Sequence, residues 1–331
     1  MNGPPWGRLP RFPLAALPTP LVRARHLEAR VARGRRGPIV LVKRDDLSGF
    51  AAAGHKARQL EYLVGAALAE GCDVLVTGGG PSSNWCPAAA VAARVAGLEC
   101  QLVSFGTRPE RTHPNLAASL ASGAEVRFTG DPDRDNLEAA IVAAADDLRA
   151  AGRRPFAVPR GGASPLGAVG MVAAAYELAV QLGDLEATAV VVATGSGGAC
   201  AGLAAAGRFP VVGASVSRPL DEAAAQVGRL AQASASLLGL PAPTPPELFD
   251  VRGPGFGVAS DEGEAAATVA LHTEGLLLDP TYTAKAFALL LRLAEADDGH
   301  PSPGPLVFWH TGGLLSAADH LARTAAVGAG A

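Results

Sequence analysis

The chain has 331 residues and a formal net charge of -3, with 49% hydrophobic and 18% charged residues. This composition supports a sizeable buried core and argues against a largely disordered chain. It also lacks the basic excess of a nucleic-acid-binding protein, so a small-molecule partner is favoured and no nucleic acid is expected.

The cysteines and the N-terminus carry little functional information. There are four cysteines, Cys72, Cys86, Cys100 and Cys200, and none forms a C-x-x-C pair. They are predicted to be free, with no disulfide framework and no metal site, and only Cys86 lies beside a candidate site. No apolar run approaches the roughly 20 residues of a membrane span, and prolines interrupt the basic N-terminus. A cytoplasmic protein without a membrane segment is expected.

Short β-branched runs alternate with Ala- and Leu-rich helical stretches along the chain. In order, we predict a strand at 39–43, helix 56–70, strand 74–77, helix 87–96, strand 98–105, helix 116–122, strand 125–128, helix 136–151, strand 156–159, helix 167–181, strand 187–193, helix 198–206, strand 210–216, helices 220–237, 261–272 and 282–294, and strand 306–310. This alternation predicts an α/β fold with parallel sheets. The Pro- and Gly-rich region 241–257 is predicted to be a loop, either over a site or on the surface.

The most specific local pattern is AVVVATGSGGACAGL, in which a buried strand ends at Thr194 and Gly195-Ser196-Gly197-Gly198 lead straight into a helix. Glycines let the backbone approach a phosphate closely, and the helix N-terminus supplies free N–H donors. The Gly-Lys-Ser/Thr of a nucleotide P-loop is absent, and so are the spacing and the acidic residue of a dinucleotide fingerprint. The alternative is a tight turn that binds no ligand.

Two further turns place polar groups next to a helix start. Ser82, Ser83 and Asn84 follow the strand of DVLVTGGG and offer hydroxyl, amide and N–H donors suited to a carboxylate, although Ser or Asn also serves as an ordinary helix cap. In LVKRDDLSGFAAAGHKARQLEYL, Lys56 stands at the start of a helix, where the helix dipole disfavours its charged form. A neutral amine at that place is suited to Schiff-base chemistry. A lone lysine there is otherwise a solvated surface residue.

Taken together, these motifs resemble the 1-aminocyclopropane-1-carboxylate (ACC) deaminase and D-cysteine desulfhydrase family. This family belongs to the fold type II pyridoxal-phosphate (PLP) enzymes, the tryptophan synthase β-chain superfamily. The resemblance covers nearly the whole chain, in the family's order: LPTPL, VKRDDLSGFAAAGHKARQLEYL, TGGGPSSNWCP, VPRGGASPLGAVGMVAAAYEL, ATGSGGACAGL, GPGFG, EGLLLDPTYTAKA and HTGG.

The resemblance implies two α/β domains of three-layer architecture with parallel sheets. Residues 1–58 and 157–331 would form a large PLP-binding domain, and 59–156 a smaller inserted domain. The cofactor, pyridoxal 5'-phosphate, would lie in the cleft between them, and a homodimer is expected.

The resemblance also implies roles for individual residues. Lys56 would hold the cofactor as a Schiff base and later remove the substrate α-proton. The other cofactor contacts would be Asn84 to the ring oxygen, Gly195, Ser196, Gly197 and Gly198 to the phosphate, Thr283 to the pyridine nitrogen, and Thr311 in the same pocket. The substrate would be bound by Ser82, Ser83, Asn84, Trp85, Phe256 and Tyr282, with Ser83 and Tyr282 also catalytic.

Departures from the family pattern bear on the reaction. Thr283 stands where ACC deaminases typically have glutamate, and Phe256 where a second tyrosine is expected, so ring opening is disfavoured and α,β-elimination favoured. The usual desulfhydrase segment Q-S-N-H-x-R is replaced by SSNWCP at 82–87, Ala199 replaces a common threonine, and His55 a common asparagine. These changes predict altered specificity, in a biosynthetic role on a less common amino acid.

The predicted function is that of a PLP-dependent lyase or deaminase that catalyses α,β-elimination on a small amino acid, as D-cysteine desulfhydrases do. The alternatives are ACC deamination, a β-replacement synthase, and a non-catalytic binding protein that keeps the fold. A nucleotide-binding oxidoreductase is the weakest alternative, because neither nucleotide motif is present.

Overall fold

The structure is a computed structural model that describes residues 3–32, 37–296 and 304–328. Its strands and helices, in chain order, are β1 (Leu21–Arg23), α1 (Arg25–Ala32), β2 (Val40–Arg44), α2 (Lys56–Ala69), β3 (Val74–Gly79), α3 (Trp85–Val95), β4 (Glu99–Ser104), α4 (Pro114–Ala121), β5 (Glu125–Phe128), α5 (Leu137–Ala150), β6 (Pro155–Ala157), α6 (Pro165–Leu182), β7 (Ala189–Thr194), α7 (Gly198–Ala205), β8 (Val211–Ser215), α8 (Leu220–Leu238), β9 (Glu247–Asp250), α9 (Asp261–Glu274), α10 (Thr283–Glu295), β10 (Leu306–His310) and α11 (Leu314–Gly328).

These strands form two sheets. The larger has six strands in the order β1-β2-β10-β7-β8-β9 and is parallel apart from β1, which runs antiparallel to β2. The smaller has four parallel strands in the order β5-β4-β3-β6. The α/β class with parallel sheets is therefore confirmed. The smaller sheet uses only residues between 74 and 157, and the proposed domain boundaries at 59–156 stay a prediction.

Four elements were not predicted from the sequence: β1, α1, β9 and α11. The strand β9 falls inside the predicted loop 241–257, at the edge of the sheet, where it pairs only with β8. An edge strand of four residues with an acidic residue at each end has too short a pattern to stand out from a loop.

The helix α3 begins at Trp85, two residues before the predicted start at Pro87. A proline in the first turn of a helix is tolerated there because its missing N–H would have no partner within the helix.

The central strand of the large sheet, β7, is buried along its whole length, as its continuous apolar sequence predicts. The helix α6 packs beside it against α2 and α7. By length and composition alone, α6 is apolar enough to cross a membrane, but most of it is buried inside the protein, as in a core helix.

A buried ionic cluster joins α2 to the large sheet. The Arg58 guanidinium donates to both Asp45 carboxylate oxygens, at 2.8 to 3.1 Å, and to Glu177 at 2.8 and 3.0 Å. The Trp309 indole N–H also donates to Asp45, at 2.8 Å, and Lys43 pairs with Glu177. Burial raises the pKa of the Asp45 carboxyl, but Arg58 and the hydrogen bonds outweigh burial, and the net pKa lies below its usual value.

Replacing Arg58 with methionine should destabilise the fold by about 3–5 kcal/mol, because the fully buried Asp45 carboxylate would lose its cation and the partly buried Glu177 one of its two. Chemical denaturation of the two proteins measures this difference. The matched control is Arg127→Met, which removes a surface arginine paired with Asp147 and should change stability by less than about 1 kcal/mol. Equal effects of the two substitutions would contradict a central role for the cluster.

Candidate active site

Lys56 begins α2 and follows a loop that is fixed against the segment after β10. Gly54 has a φ of +60°, and a Cβ placed on it would lie 2.1 Å from the Thr311 carbonyl oxygen, so only glycine fits. The same carbonyl accepts from the His55 backbone N–H at 3.1 Å and from its Nδ1 at 2.9 Å. Burial lowers the pKa of His55 to about 3, so its ring is neutral. The backbone before Lys56 therefore has little freedom.

The Lys56 amine is half-buried and makes no hydrogen bond within the described part of the chain. Burial lowers its pKa to about 8, although the negative charge of Asp279 acts in the opposite direction. A lysine with this pKa is neutral in a substantial fraction of molecules at neutral to mildly basic pH, which makes it a nucleophile and a base.

The loop 195–198 forms a narrow cradle before α7. Gly197 has a φ of +96° and leaves the first turn of α7 without a side-chain cap. A Cβ on Gly195 would lie 2.8 Å from Tyr282 Cε1, and one on Gly198 would lie 2.9 Å from Gln59 Nε2. The Gln59 side-chain oxygen is buried and has no partner. Glycines are therefore required here, and the free N–H groups of the helix start suit an anion.

Asn84 lies just before α3 with its side chain held in one orientation. Its amide oxygen accepts from Asn115 Nδ2 at 2.9 Å and from the Ser316 hydroxyl at 2.8 Å. Its own Nδ2 has no partner among the described residues, and is free to donate to a ligand. Neighbouring Ser83 accepts from the Trp85 backbone N–H at 3.2 Å, and Ser82 is exposed.

Trp85 does not take the substrate-facing place expected of its side chain. It is only 2% exposed, and its ring N–H donates to the Thr77 hydroxyl at 2.9 Å. The ring edge packs on Gly162, where a Cβ would lie 2.5 Å from Trp85 Cη2. Cys86 is buried beside it, and burial raises the pKa of its thiol to about 11. Both side chains therefore belong to the core.

Thr283, the expected partner of the pyridine nitrogen, is held in place by Asp279, and its role towards a cofactor stays a prediction. It is fully buried, and its hydroxyl donates to the Asp279 carboxylate at 2.8 Å while accepting from the Asp279 backbone N–H at 2.8 Å. With its proton donated to Asp279 and one lone pair used, this hydroxyl keeps a second lone pair that can accept from a protonated pyridine nitrogen. The Thr311 hydroxyl, in contrast, makes no hydrogen bond within the part of the chain that the structure describes, so it remains available.

Asp279 organises the start of α10, and sequence analysis did not single it out. One carboxylate oxygen accepts from the backbone N–H groups of Thr281 at 3.1 Å and Tyr282 at 2.8 Å, and the other from that of Thr283 at 3.2 Å. Burial raises the pKa of Asp279 despite these bonds. Aspartate is a residue type whose carboxylate often accepts from backbone N–H groups in turns and at helix starts. Its position shortly before α10 was the only feature of the sequence that pointed to this role.

The structure thus brings several of the predicted residues together. Gly195 contacts Tyr282, Tyr282 is fixed by Asp279, and Asp279 interacts electrostatically with Lys56. Phe256 packs edge-on against the Tyr282 ring at 6.0 Å between centroids. The glycine cradle with its free N–H donors and the unpaired Lys56 amine fit a molecule that carries both a phosphate and an aldehyde, which are the groups of the expected cofactor.

Asp279→Asn keeps the side-chain shape but removes the negative charge near Lys56. We expect the Lys56 pKa to fall further below about 8, because the interaction that favours its charged form is lost. The pH dependence of Lys56 modification by a brief pulse of an amine-reactive ester, followed by mass spectrometry, measures this pKa. Asp146→Asn on the surface is the control, and an unchanged Lys56 pKa in Asp279→Asn would contradict the coupling.

Comparison with known proteins identifies the family of the chain. The family described as pyridoxal-phosphate dependent enzyme matches residues 13–312. A D-cysteine desulfhydrase of Salmonella choleraesuis is 36% identical over 316 residues, which cover 92% of this chain and 94% of that protein. A putative 1-aminocyclopropane-1-carboxylate deaminase of Pyrococcus horikoshii is 34% identical over 312 residues, or 93% of each chain.

A crystal structure of an ACC deaminase homologue superposes with a TM-score of 0.86 and 33% identity, over 96% of this chain and 97% of that one. The match in sequence extends over nearly the full chain, and the match in fold does too. The expected resemblance is confirmed, and the chain belongs to the pyridoxal-phosphate dependent enzyme family.

Proposed function

We propose that the protein is a PLP-dependent lyase that carries out α,β-elimination on a small amino acid, as its D-cysteine desulfhydrase relatives do by name. The observation that carries the proposal is the Lys56 amine, half-buried, without a hydrogen-bond partner in the described chain, and with a pKa lowered to about 8. It lies in a site whose glycine cradle suits a phosphate. A binding protein without catalysis would have no need for such an amine.

Several groups would hold the cofactor. The N–H groups of 195–198 and the start of α7 bind the phosphate, and the free Asn84 Nδ2 donates to the ring oxygen. Thr283 would be the partner of the pyridine nitrogen, and Thr311, whose hydroxyl has no partner in the described chain, would line the same pocket. When bound, the cofactor supplies an electron sink for the charge that develops at the substrate α-carbon. A neutral hydroxyl partner would favour a proton on the nitrogen less than a carboxylate does, so the sink is weaker than with an acidic partner.

The chain's own residues then handle the substrate. Ser82, Ser83 and the N-terminus of α3 bind its carboxylate, because they offer hydroxyls and free N–H groups at one point. The Lys56 amine, once released, removes the α-proton. Burial raises the pKa of Tyr282 well above its usual value, so its hydroxyl stays protonated and serves as a donor to the leaving group. Departure of that group with its electron pair completes the elimination.

The alternative reactions differ from elimination in their later steps or in the groups that must assist them. Ring opening of ACC is disfavoured, since Phe256 packs on Tyr282 and provides no second hydroxyl. β-Replacement shares the first half of the reaction, and would need a nucleophile to add before water does. The cytoplasmic location and the homodimer stay predictions.

The deciding experiment is the visible absorption spectrum of the purified protein, before and after addition of D-cysteine, L-cysteine, D-serine and ACC, with an assay for pyruvate. We expect a cofactor band that an amino acid shifts, with pyruvate produced. Lys56→Ala should lose at least about 1000-fold in rate, because both the covalent link and the base are removed. Tyr282→Phe should retain the band but lower the rate.

Other outcomes separate the alternatives. The absence of a band, even after reconstitution, would overturn the proposal in favour of a binding protein. A shifted band without a keto acid would point to replacement, and 2-oxobutyrate from ACC to ring opening.

The rate at which the apoprotein captures the cofactor should depend on pH through Lys56. Only the neutral amine reacts, so the rate should fall about tenfold per pH unit below the Lys56 pKa of about 8 and level off above it. Stopped-flow absorbance between pH 6 and 10 measures the profile. A midpoint close to that of an unperturbed lysine, about 10.4, would contradict the environment described for Lys56.

A further inference from the structure

Three arginines lie next to the cradle and have no role in the reaction so far. Arg218 Nη1 donates to the Gly195 carbonyl at 2.7 Å, and Arg160 Nη1 donates to the Arg134 carbonyl at 2.9 Å. A Cβ on Gly161, the residue after Arg160, would lie 2.7 Å from the Ser196 hydroxyl. We call Arg134, Arg160 and Arg218 the arginine cluster.

The Arg134 guanidinium faces the site without a polar partner. Its central carbon lies 4.3 Å from the centroid of the Phe256 ring, and Phe256 packs edge-on against Tyr282. Among the described residues its guanidinium makes no hydrogen bond and no ion pair. This half-buried guanidinium keeps its five N–H donors free of protein partners in the described chain, so they are available to an anionic ligand that reaches the site.

Nearby carboxylates do not neutralise the cluster. Glu138 pairs with Arg160, at 3.6 Å between Oε1 and Nε. Asp135 and Glu222 act on Arg134 and Arg218 only through longer-range attraction, and form no ion pair with them in the described structure. Burial lowers the pKa of Arg134 and of Arg218, and repulsion within the cluster lowers both further. Arg134 and Arg218 therefore lie beside the reacting site without a directly paired carboxylate among the residues that the structure describes.

We propose that the arginine cluster binds a second oxyanion on the substrate, so that the enzyme acts on an amino acid whose β-substituent carries a carboxylate, sulfonate or phosphate. This inference rests on the proposed function and narrows its substrate class. Arg134 makes the direct contact, because its planar fork is free and suits such a group. Arg160 and Arg218 supply the surrounding positive potential. Sulfhydryl or hydroxyl substrates would leave these donors unused.

The test compares anionic and neutral amino acids as ligands of the holoenzyme. D- and L-serine, D- and L-aspartate and both enantiomers of O-phosphoserine are titrated against the visible cofactor band. We expect at least one anionic amino acid to bind about 10- to 100-fold more tightly than serine of the same configuration. Preference for aspartate identifies a carboxylate, and preference for phosphoserine identifies a phosphate ester; either supports the proposal.

Variants assign the effect to Arg134. Arg134→Gln should lose about 10- to 100-fold in affinity for the preferred anionic amino acid, while serine binding changes less than about twofold. Arg134→Lys should recover part of the loss, because it restores the charge without the planar fork. The matched control is Arg127→Gln. Arg127 is a surface arginine on β5, the strand that precedes Arg134 in the chain, and this variant should behave as wild type.

Three results would overturn the inference. The first is wild-type protein that binds anionic amino acids no better than serine, or not at all. The second is an Arg134→Gln protein that loses serine and the anionic ligand equally. The third is an Arg134→Gln protein that loses cofactor affinity instead, since the cluster would then serve the cofactor phosphate. None of these results bears on the proposed function, which is tested separately by the cofactor band and by keto-acid formation.

Discussion

The ion cluster around Arg58 is the contact on which the placement of the reactive lysine depends. Arg58 lies two residues after Lys56, on the first turn of α2, and it is tied to Asp45 and Glu177 from the large-sheet side of the protein. Since α2 also packs on buried residues near the smaller sheet, this one helix turn has fixed contacts on both sides. The amine of Lys56 therefore emerges from a position that the surrounding structure determines, and not from a flexible loop.

The site itself is assembled largely from backbone. Close approaches at Gly54, Gly195 and Gly198 set the distances between the lysine loop, the cradle and the Tyr282 segment. The Asp279 carboxylate accepts from the backbone N–H of Tyr282 and so fixes that residue. Its negative charge also favours the protonated form of Lys56. The same few contacts thus set both the positions of the cradle and the lysine and the pKa of the Lys56 amine.

Much of this was predictable from sequence, because long apolar strands and glycine-rich turns have patterns that few other structures share. The strand β7, the cradle that follows it and Lys56 at the start of α2 all lie within a residue or two of the predicted positions. The edge strands β1 and β9 were missed, since three or four residues carry too little periodicity.

The direction of the Trp85 side chain was missed for a different reason. Trp85 directly follows the predicted site residues 82–84, but one-dimensional order does not tell which neighbour faces inward. Trp85 turns towards Thr77 in the core. The arginine cluster was equally invisible, because Arg134, Arg160 and Arg218 come together only through the fold.

The proposed substrate residues are more exposed than the cradle proposed for the cofactor, and this difference affects how such enzymes can change substrate. Ser82 is exposed and Phe256 is 38% exposed, whereas the cradle glycines admit no side chain. Exchanges at exposed positions usually change stability by less than about 0.5 kcal/mol, whereas a side chain forced into the cradle would clash. Evolution can therefore exchange one amino-acid substrate for another at little cost in stability, while the inherited chemistry stays locked in place.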